Sequence, residues 1–385
     1  MKIGAFIYGF TWGGATRRLL ALLEGFAQRG HDVELVVVDP SGPLANKLPE
    51  GVKLYPLHYR LLGPVVKFLP RRQRMSLSKF ALARYFQQNR VDIFLSAANH
   101  AHITSLSAKI LARSTIPFVL RLSSHVSASL KNSRKLAKRL RFHQAKRLYP
   151  HADLVIAVSR AVARDLAQTV PISPDKIRVV YNPVYTSELT KQAQQEPDHP
   201  WLKDERGRQT PVLLAAGRLR RQKGFDTIIK AVHLANKSRK IRLIILGEGK
   251  ARPELEALVK KLDMSQLVDL PGFKPNPAAY MARADLFCHA STFEGLPGVV
   301  IEALATGCPV VCTDSPGGAR EVLEDGLYGL LVPVGDHQAF AQAILEALDT
   351  QWDEEKLKSR AEDFSLEQAV NGYLSAFEDV LNNKK

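Results

Sequence analysis

This sequence of 385 residues lacks any uninterrupted apolar stretch of about 18 residues, the length that a membrane-spanning helix requires. It is also poor in cysteine, with only Cys288, Cys308 and Cys312. These three lie in apolar segments and lack the paired spacing of a structural zinc site, so we predict buried free thiols. Both deficits favour a cytoplasmic protein, since free thiols persist in a reducing compartment.

Several signatures of other functions are absent as well. No Gly-x-Gly-x-x-Gly follows the first apolar segment, residues 1–8, which argues against a dinucleotide-binding dehydrogenase. That segment is too short for a signal peptide and has no cleavage site after it, so we expect it to be the first strand. There is no Asp-x-Asp cluster to hold a metal ion. Neither an RNA-recognition motif nor an aromatic platform supports binding of nucleic acid.

Acidic residues are almost missing from one long segment. Residues 55–150 contain 19 lysines and arginines but a single acid, Asp92, which gives the segment a charge of +18. The rest of the chain has 35 basic and 37 acidic residues, so its charge is −2 and the total is +16. Such a field attracts an anionic partner, such as membrane headgroups, a pyrophosphate-linked lipid or a nucleic acid.

Two parts of this basic segment favour a membrane surface. Residues 61–70 are apolar, contain glycine and proline, and precede three arginines, as a shallow membrane wedge would. Residues 131–149 predict a basic helix with Leu136, Leu140 and Leu148 along a narrow apolar strip, the pattern of an interfacial helix. The alternative is a helix packed on its own domain with a solvated basic face. We expect region 60–149 to bind an anionic membrane surface, with the protein peripheral on the inner face of the cell membrane.

The chain contains two successive series of alternating strands and helical segments. Strands are predicted at 2–8, 33–38, 52–57, 91–95, 116–121 and 153–158, then at 212–216, 241–246, 267–270, 285–289, 309–313 and 328–332. This alternation predicts an α/β fold with parallel sheets, and the length indicates two domains. The polar residues 186–210 read as an interdomain connection with a surface excursion.

The segment 291–307 has the most specific functional pattern. Between two predicted strands it forms a loop with Glu294, then a helix with Glu302 that ends at Gly307. Loop and helix N-terminus therefore lie at the carboxyl edge of a parallel sheet, where ligands bind and free N–H groups suit a phosphate. We expect Glu294 and Glu302 to face one crevice. A glycosidase pair of carboxylates is the weaker interpretation, because it leaves the cations of residues 217–225 without a use.

Those cations follow the predicted strand 212–216. Alone, four cations in a short run are most often a solvated turn, but at a strand's carboxyl end an arginine and a lysine suit a diphosphate. Arginine makes a bidentate contact, and lysine acts as a point charge.

Residues 293–311 resemble the Glu-x7-Glu signature of the retaining nucleotide-sugar transferases of glycosyltransferase family 4, and the match continues through 317–321 and 326–332. Gly13 and Gly14 resemble that family's loop against the donor pyrophosphate, although Thr16 stands where a glutamate is common. The resemblance implies the GT-B architecture, with two facing Rossmann-like, doubly wound domains and a central cleft. The acceptor-side domain would comprise 1–185 with a C-terminal helix 365–385, and the donor-binding domain 186–364.

The resemblance also implies roles for individual residues. Arg218 and Lys223 would bind the diphosphate. Glu302 would hold the ribose hydroxyls, and Glu294 would contact the transferred sugar. His125 would lie near the sugar's C6 hydroxyl. The implied catalytic set is His125, Arg218, Lys223 and Glu294, and the implied donor-binding set is Gly13, Gly14, Arg218, Lys223, Gly272, Phe273, Glu294, Gly295, Leu296, Pro297, Gly298 and Glu302. No metal or other cofactor is expected.

The sequence thus predicts a metal-independent, retaining glycosyltransferase with a nucleotide-sugar donor, UDP-sugar favoured. The expected acceptor is a membrane-associated glycan or lipid-linked sugar in the synthesis of cell-surface polysaccharide or lipopolysaccharide. A transferase with a soluble acceptor is one alternative. A non-catalytic anion- or RNA-binding protein is another, but we expect no nucleic-acid partner.

Overall fold

The computed structural model of the protein describes residues 1–11, 13–58, 68–128, 136–203 and 209–383. The chain divides into two compact units, Met1–Pro183 with Leu366–Lys385, and Val184–Ser365. The first boundary lies two residues before the predicted one, and the last helix begins at Leu366 rather than at residue 365. Among the described residues, no helix has both the length and the apolar character needed to cross a membrane.

The first unit contains a parallel sheet in the order β3-β2-β1-β4-β5-β6-β7. Its strands are β1 (Lys2–Gly9), β2 (Asp32–Asp39), β3 (Val52–Pro56), β4 (Ile93–Ser96), β5 (Phe118–Leu122), β6 (Leu154–Ala157) and β7 (Ile177–Val179). The helices described here are α1 (Gly14–Gln28), α2 (Arg71–Gln88), α3 (His102–Leu111), α4 (Leu136–Leu148) and α5 (Arg160–Thr169), and the C-terminal helix Leu366–Asn382 is added to them.

The second unit contains a parallel sheet in the order β10-β9-β8-β11-β12-β13. Its strands are β8 (Val212–Ala216), β9 (Arg242–Leu246), β10 (Val268–Gly272), β11 (Leu286–His289), β12 (Val310–Thr313) and β13 (Leu330–Val332). Its helices are α6 (Ser187–Ala193), α7 (Phe225–Ala235), α8 (Arg252–Lys261), α9 (Pro277–Arg283), α10 (Gly298–Ala305), α11 (Ala319–Val322), α12 (His337–Asp349) and α13 (Glu354–Glu362), and we number the C-terminal helix α14.

Both sheets are doubly wound: successive strands are added first toward one edge of the sheet and then, after a single switch, toward the other edge. The order changes between β1 and β4 in the first sheet and between β8 and β11 in the second. In such sheets ligands bind outside the carboxyl ends of the strands at this switch point. The central strands, such as β1 and β8, are buried on both faces, so they appear in the sequence as continuous apolar runs, whereas the edge strands β3 and β7 are partly exposed. The fold therefore places the loops after β8 and β11 side by side.

The C-terminal helix α14 packs on α1 of the first unit. The ring of Phe26 lies 6.1 Å from that of Tyr373 and 5.7 Å from that of Phe377, measured between centroids. Gly25 allows the close approach, because a Cβ there would lie 2.4 Å from a methyl carbon of Val370. Aromatic burial of this size holds the helix in the first unit although the chain reaches it from the second.

The predicted excursion at residues 186–210 contains regular structure in the part that the structure describes, although most of residues 186–203 are exposed or only partly buried. Helix α6 and the 3-10 turn Pro200–Leu202 pack on the second unit, with Leu189 and Leu202 buried. The His199 ring, 5% exposed, lies 2.9 Å from the Asp269 carboxylate. These elements are too short to show apolar periodicity, which is why the sequence resembled a linker. Residues 204–208 lie outside the described part.

Candidate active site

Two loops meet at the switch point of the second sheet, one after β8 and one after β11. Gly224 in the first loop has a φ of 62°, and an added Cβ would lie 2.1 Å from the carbonyl oxygen of Ala290. Only glycine tolerates both this left-handed backbone and this approach. The 3-10 turn Arg221–Lys223, which precedes Gly224, is thereby held against the end of β11.

Hydrogen bonds join the same two loops. The Gln222 carbonyl oxygen accepts from the Thr292 N–H at 2.8 Å, and the Gln222 side-chain amide donates to the Phe293 carbonyl oxygen at 2.9 Å. The second loop is fixed from its other side as well, because the Glu294 N–H donates to the Pro316 carbonyl oxygen at 3.0 Å. The position of Glu294 relative to the first loop is therefore set by backbone contacts.

Lys223 and Glu294 form an ion pair at this junction. The Lys223 ammonium donates to Oε1 of Glu294, and the Ser291 hydroxyl donates to the same oxygen at 2.8 Å. Both side chains are largely buried, at 22% and 15% exposure. Burial would raise the pKa of the Glu294 carboxyl, but the Lys223 charge and these hydrogen bonds hold it below its usual value. Glu294 is thus ionised at neutral pH, and no hydrogen bond from a described residue reaches its Oε2.

His289, the last residue of β11, lies behind this pair and was not predicted as a site residue. Its Nε2 is 3.7 Å from Oε1 of Glu294, and its side chain is 4% exposed. Burial, together with the charge of Lys223, lowers the pKa of His289 to about 4, so the ring is neutral near pH 7. A lone histidine in an apolar run resembles a core residue. Its place at the carboxyl end of a strand beside the switch point was the available signal.

The remaining predicted residues of the second unit lie on the same edge of the sheet. Arg218 is exposed two residues after β8, and Gly298 is the first residue of α10, which carries the half-buried Glu302 one turn later. Gly295, Leu296 and Pro297 connect Glu294 to that helix, and Leu296 is buried. Because α10 begins here, its first-turn N–H groups and positive dipole end lie next to the Glu294 loop.

Gly272 is the last residue of β10, two strands from β8, and Phe273 follows it. Gly272 has a φ of 86°, and an added Cβ would lie 3.0 Å from the Glu248 carboxylate. The Gly272 carbonyl oxygen accepts from the Gly247 N–H at 2.8 Å, and the side chain of Phe273 is 51% exposed. An exposed aromatic ring at this edge suits a planar ligand group.

The first unit carries the other predicted residues at the carboxyl edge of its own sheet. Gly13 and Gly14 lie at the start of α1, just after β1. His125, 8% exposed, lies three residues after the end of β5, and its Nδ1 is 3.6 Å from Oδ1 of Asp165. Asp165 was not predicted either, because an acid within a helix is usually solvated.

The cysteines match the prediction of free thiols. Cys288, Cys308 and Cys312 are all buried and unbridged. Burial raises the pKa of Cys288 and of Cys312, so both are protonated core residues rather than reactive thiolates.

Comparison with known proteins identifies the family. Residues 12–188 match the family described as Glycosyltransferase Family 4, and residues 202–364 match Glycosyl transferases group 1. The chain is also 31% identical over 354 residues to an N-acetylgalactosamine-N,N'-diacetylbacillosaminyl-diphospho-undecaprenol 4-alpha-N-acetylgalactosaminyltransferase of Campylobacter jejuni, covering 90% of each chain. This chain belongs to glycosyltransferase family 4.

Other similarities agree with this assignment. The transferase is 25% identical to the lipopolysaccharide core biosynthesis glycosyltransferase LpsE of Rhizobium meliloti, covering 97% of this chain and 98% of that one. Its fold is that of Anabaena HepE in complex with UDP-glucose, with a TM-score of 0.74, 22% identity and coverage of 98% and 100%. The predicted glycosyltransferase activity and the α/β fold with two Rossmann-like domains are confirmed.

Proposed function

We propose that the transferase moves a sugar from a UDP-sugar to a lipid-linked or membrane-associated glycan, with retention of configuration, in the synthesis of cell-surface polysaccharide. The ion pair of Lys223 with Glu294 at a switch point is the observation that carries this proposal. A cation for a diphosphate and a carboxylate for sugar hydroxyls stand side by side there. The names of two relatives, which concern an undecaprenol-linked sugar and lipopolysaccharide core, support the acceptor class.

The chemical difficulty in such a reaction is the departing group. Negative charge develops on the nucleoside diphosphate as its bond to the sugar breaks, and preorganised cations and N–H groups stabilise it by several kcal/mol in a site shielded from water. Lys223, Arg218 and the first turn of α10 supply these groups on one edge of the second sheet. Protein cations then do the work that a metal ion would do elsewhere, so the proposed reaction needs none.

The remaining residues of the site orient the sugar and the nucleotide. Glu294 accepts hydrogen bonds from sugar hydroxyls through Oε2, and Glu302 accepts them from the ribose. Gly272 and Phe273 contact the base. For His125, Gly13 and Gly14 of the first unit we retain the roles that the family resemblance implies, at the sugar's C6 hydroxyl and at the pyrophosphate.

Retention follows from attack on the face that the diphosphate leaves. The bond from the sugar's anomeric carbon to the diphosphate oxygen breaks, and a bond from that carbon to the acceptor oxygen forms on the same face. The acceptor's proton passes to the departing phosphate oxygen. Every atom is accounted for without a covalent enzyme intermediate.

Measuring donor binding with and without metal ions tests the proposal that protein cations alone bind the diphosphate. We expect UDP and UDP-sugars to raise the melting temperature equally in EDTA and in magnesium, and Glu294→Gln to retain UDP binding but lose transfer. A requirement for magnesium or manganese in UDP binding would contradict the proposal. A shift with GDP instead of UDP would correct the donor.

Helix α4 of the first unit provides the surface for the membrane. Leu136 and Leu140, one turn apart, are 70% and 56% exposed, and Ala145 is the buried residue of this helix. The helix contains no acidic residue and five cations, which are Lys138, Arg139, Arg141, Lys146 and Arg147. An exposed apolar strip flanked by cations fits the interface of an anionic bilayer. Phe68, 88% exposed before α2, belongs to the predicted wedge, most of which lies outside the described residues, as do residues 131–135.

Vesicle pelleting tests this surface. The protein should sediment with vesicles of anionic lipid but not with zwitterionic ones, and Lys138→Gln with Arg139→Gln and Arg141→Gln should abolish sedimentation. The matched control removes three exposed charges from the second unit, at Lys237, Lys240 and Lys250. Equal loss in both triple variants would indicate an effect of net charge alone, and no sedimentation of the unmodified protein would favour a soluble acceptor.

A further inference from the structure

The loop that carries His125 is held by side chains from two neighbouring elements. On one side, Asn99 Oδ1 accepts from the Ser123 N–H at 2.9 Å and from the Ser123 hydroxyl at 3.1 Å. The Asn99 amide also donates to the Ser124 hydroxyl at 2.7 Å. These contacts fix the first half of the loop 123–127 and leave its second half to another partner.

That partner is Asp165, from the middle of α5. Its Oδ2 accepts from the backbone N–H groups of Val126 at 2.6 Å and Ser127 at 3.2 Å, and its Oδ1 lies 3.6 Å from Nδ1 of His125. Asp165 is 9% exposed, and no described lysine or arginine forms an ion pair with it. Burial would raise its pKa, but the neighbouring His125 ring and the hydrogen bonds from Ser127 bring the pKa to about 2. The carboxylate is therefore charged near neutral pH.

We propose that Asp165 is a positioning residue that holds the His125 ring in the tautomer with the proton on Nδ1. The two N–H groups occupy Oδ2, so Oδ1 is the oxygen left to face the ring, and an ionised oxygen can only accept. The Nε2 atom of the neutral ring then carries the lone pair and accepts a hydrogen bond from a sugar hydroxyl. This use of the ring rests on the role proposed above for His125.

Asp165→Asn replaces the acceptor that faces Nδ1 of His125 by a donor, with little change in the shape of the side chain. The Val126 and Ser127 N–H groups require an oxygen at the Oδ2 position, so the asparagine NH2 must stand where Oδ1 faced the ring. That NH2 donates to Nδ1, which forces the proton onto Nε2. A residue that served only to satisfy the two backbone N–H groups would leave the tautomer unchanged, because asparagine satisfies them as well.

The test is ¹⁵N NMR of the histidine rings, with the His125 signals assigned from a His125→Gln variant. The unmodified protein should show His125 protonated on Nδ1 at a pH where the ring is neutral, and this observation does not depend on the folding of Asp165→Asn. Asp165→Asn should move the proton to Nε2. It should also lower kcat for transfer by about 10- to 100-fold, with the donor KM little changed, as expected when a contact is misplaced rather than removed.

Asp153→Asn is the matched control. Asp153 also accepts a backbone N–H, that of Phe118 at 2.7 Å, and pairs with Lys109 at 2.8 Å, but its described contacts do not include His125. It should leave the tautomer as it is. Protonation of His125 on Nε2 in the unmodified protein, or an unchanged tautomer in folded Asp165→Asn, overturns the inference. If the tautomer reverses but neither this variant nor His125→Gln alters transfer, the inference stands and the proposed role of His125 is wrong.

Discussion

Lys223 pairs with Glu294 in the structure, and in the proposed reaction the same lysine binds the diphosphate of the donor. In the structure the lysine neutralises a largely buried carboxylate. Lys223→Met removes the charge and keeps the length of the side chain, Glu294→Gln removes the opposite charge, and the double variant removes both.

The expected magnitudes differ for stability and for binding. Removing one partner of a buried ion pair costs about 3–5 kcal/mol, and the exposure of 15–22% reduces this to about 2–3 kcal/mol for Lys223→Met. Ser291 remains as a neutral donor to the abandoned carboxylate. A lost charge-assisted hydrogen bond to phosphate costs about 1.5–3 kcal/mol, which weakens UDP binding about 10- to 100-fold. Glu294→Gln should leave UDP affinity close to that of the unmodified enzyme.

Calorimetric titration of UDP into the four proteins in EDTA separates the two roles. If Lys223 binds the diphosphate, the double variant binds UDP as weakly as Lys223→Met does. If the lysine only neutralises Glu294, removing the carboxylate as well restores UDP affinity, because no unpaired negative charge is left to repel the ligand. Restored affinity in the folded double variant would refute the diphosphate clamp. Unfolding by denaturant gives the coupling energy of the pair from the same four proteins.

Two further predictions concern stability. His102 and His289 are buried with pKa values of about 3 and about 4, below the ordinary 6.5, so the unfolded chain takes up protons first as the pH falls below 6.5. Each should cost about 2 kcal/mol of unfolding free energy by pH 5, and replacing both with glutamine should flatten the fall measured by urea unfolding. Gly224→Ala should destabilise the enzyme by about 2 kcal/mol more than Gly335→Ala, because the second glycine, with φ of 80°, has open space where the first meets the Ala290 carbonyl oxygen. Equal costs would show that backbone strain alone decides.

Much of the fold could be predicted from the sequence because parallel strands buried on both faces are continuous apolar runs. Strand β8 begins and ends where predicted, and β1 extends one residue further, to Gly9. Strands β4 and β5 begin two residues later than predicted, and Val91 before β4 is buried without belonging to the strand. The helix α6 was missed because seven residues with Leu189 as the buried one show no periodicity.

The contacts within the site could be predicted only in part. The pattern located Lys223 and Glu294 after strands that are not adjacent in sequence, and parallel topology then brings the two loops together. That the two side chains pair with each other depends on the approach of Gly224 to β11, which no local pattern reveals. Asp165 and His289 were missed because each is a single polar residue in a segment typical of ordinary helix or core.

The excess positive charge and the cations proposed to bind the donor belong to different units, and this has a physical consequence. The segment with a charge of +18 lies within residues 55–150 of the first unit, whereas Arg218 and Lys223 lie in the second. Exposed charges act over a distance that salt reduces to about 10 Å at 0.1 M, while a largely buried pair is screened much less. In the proposed function, attraction to an anionic surface and recognition of a diphosphate are thus separate electrostatic tasks. The first depends on many interchangeable cations such as those of α4, and the second depends on one lysine whose position is set by the loop that Gly224 holds against β11.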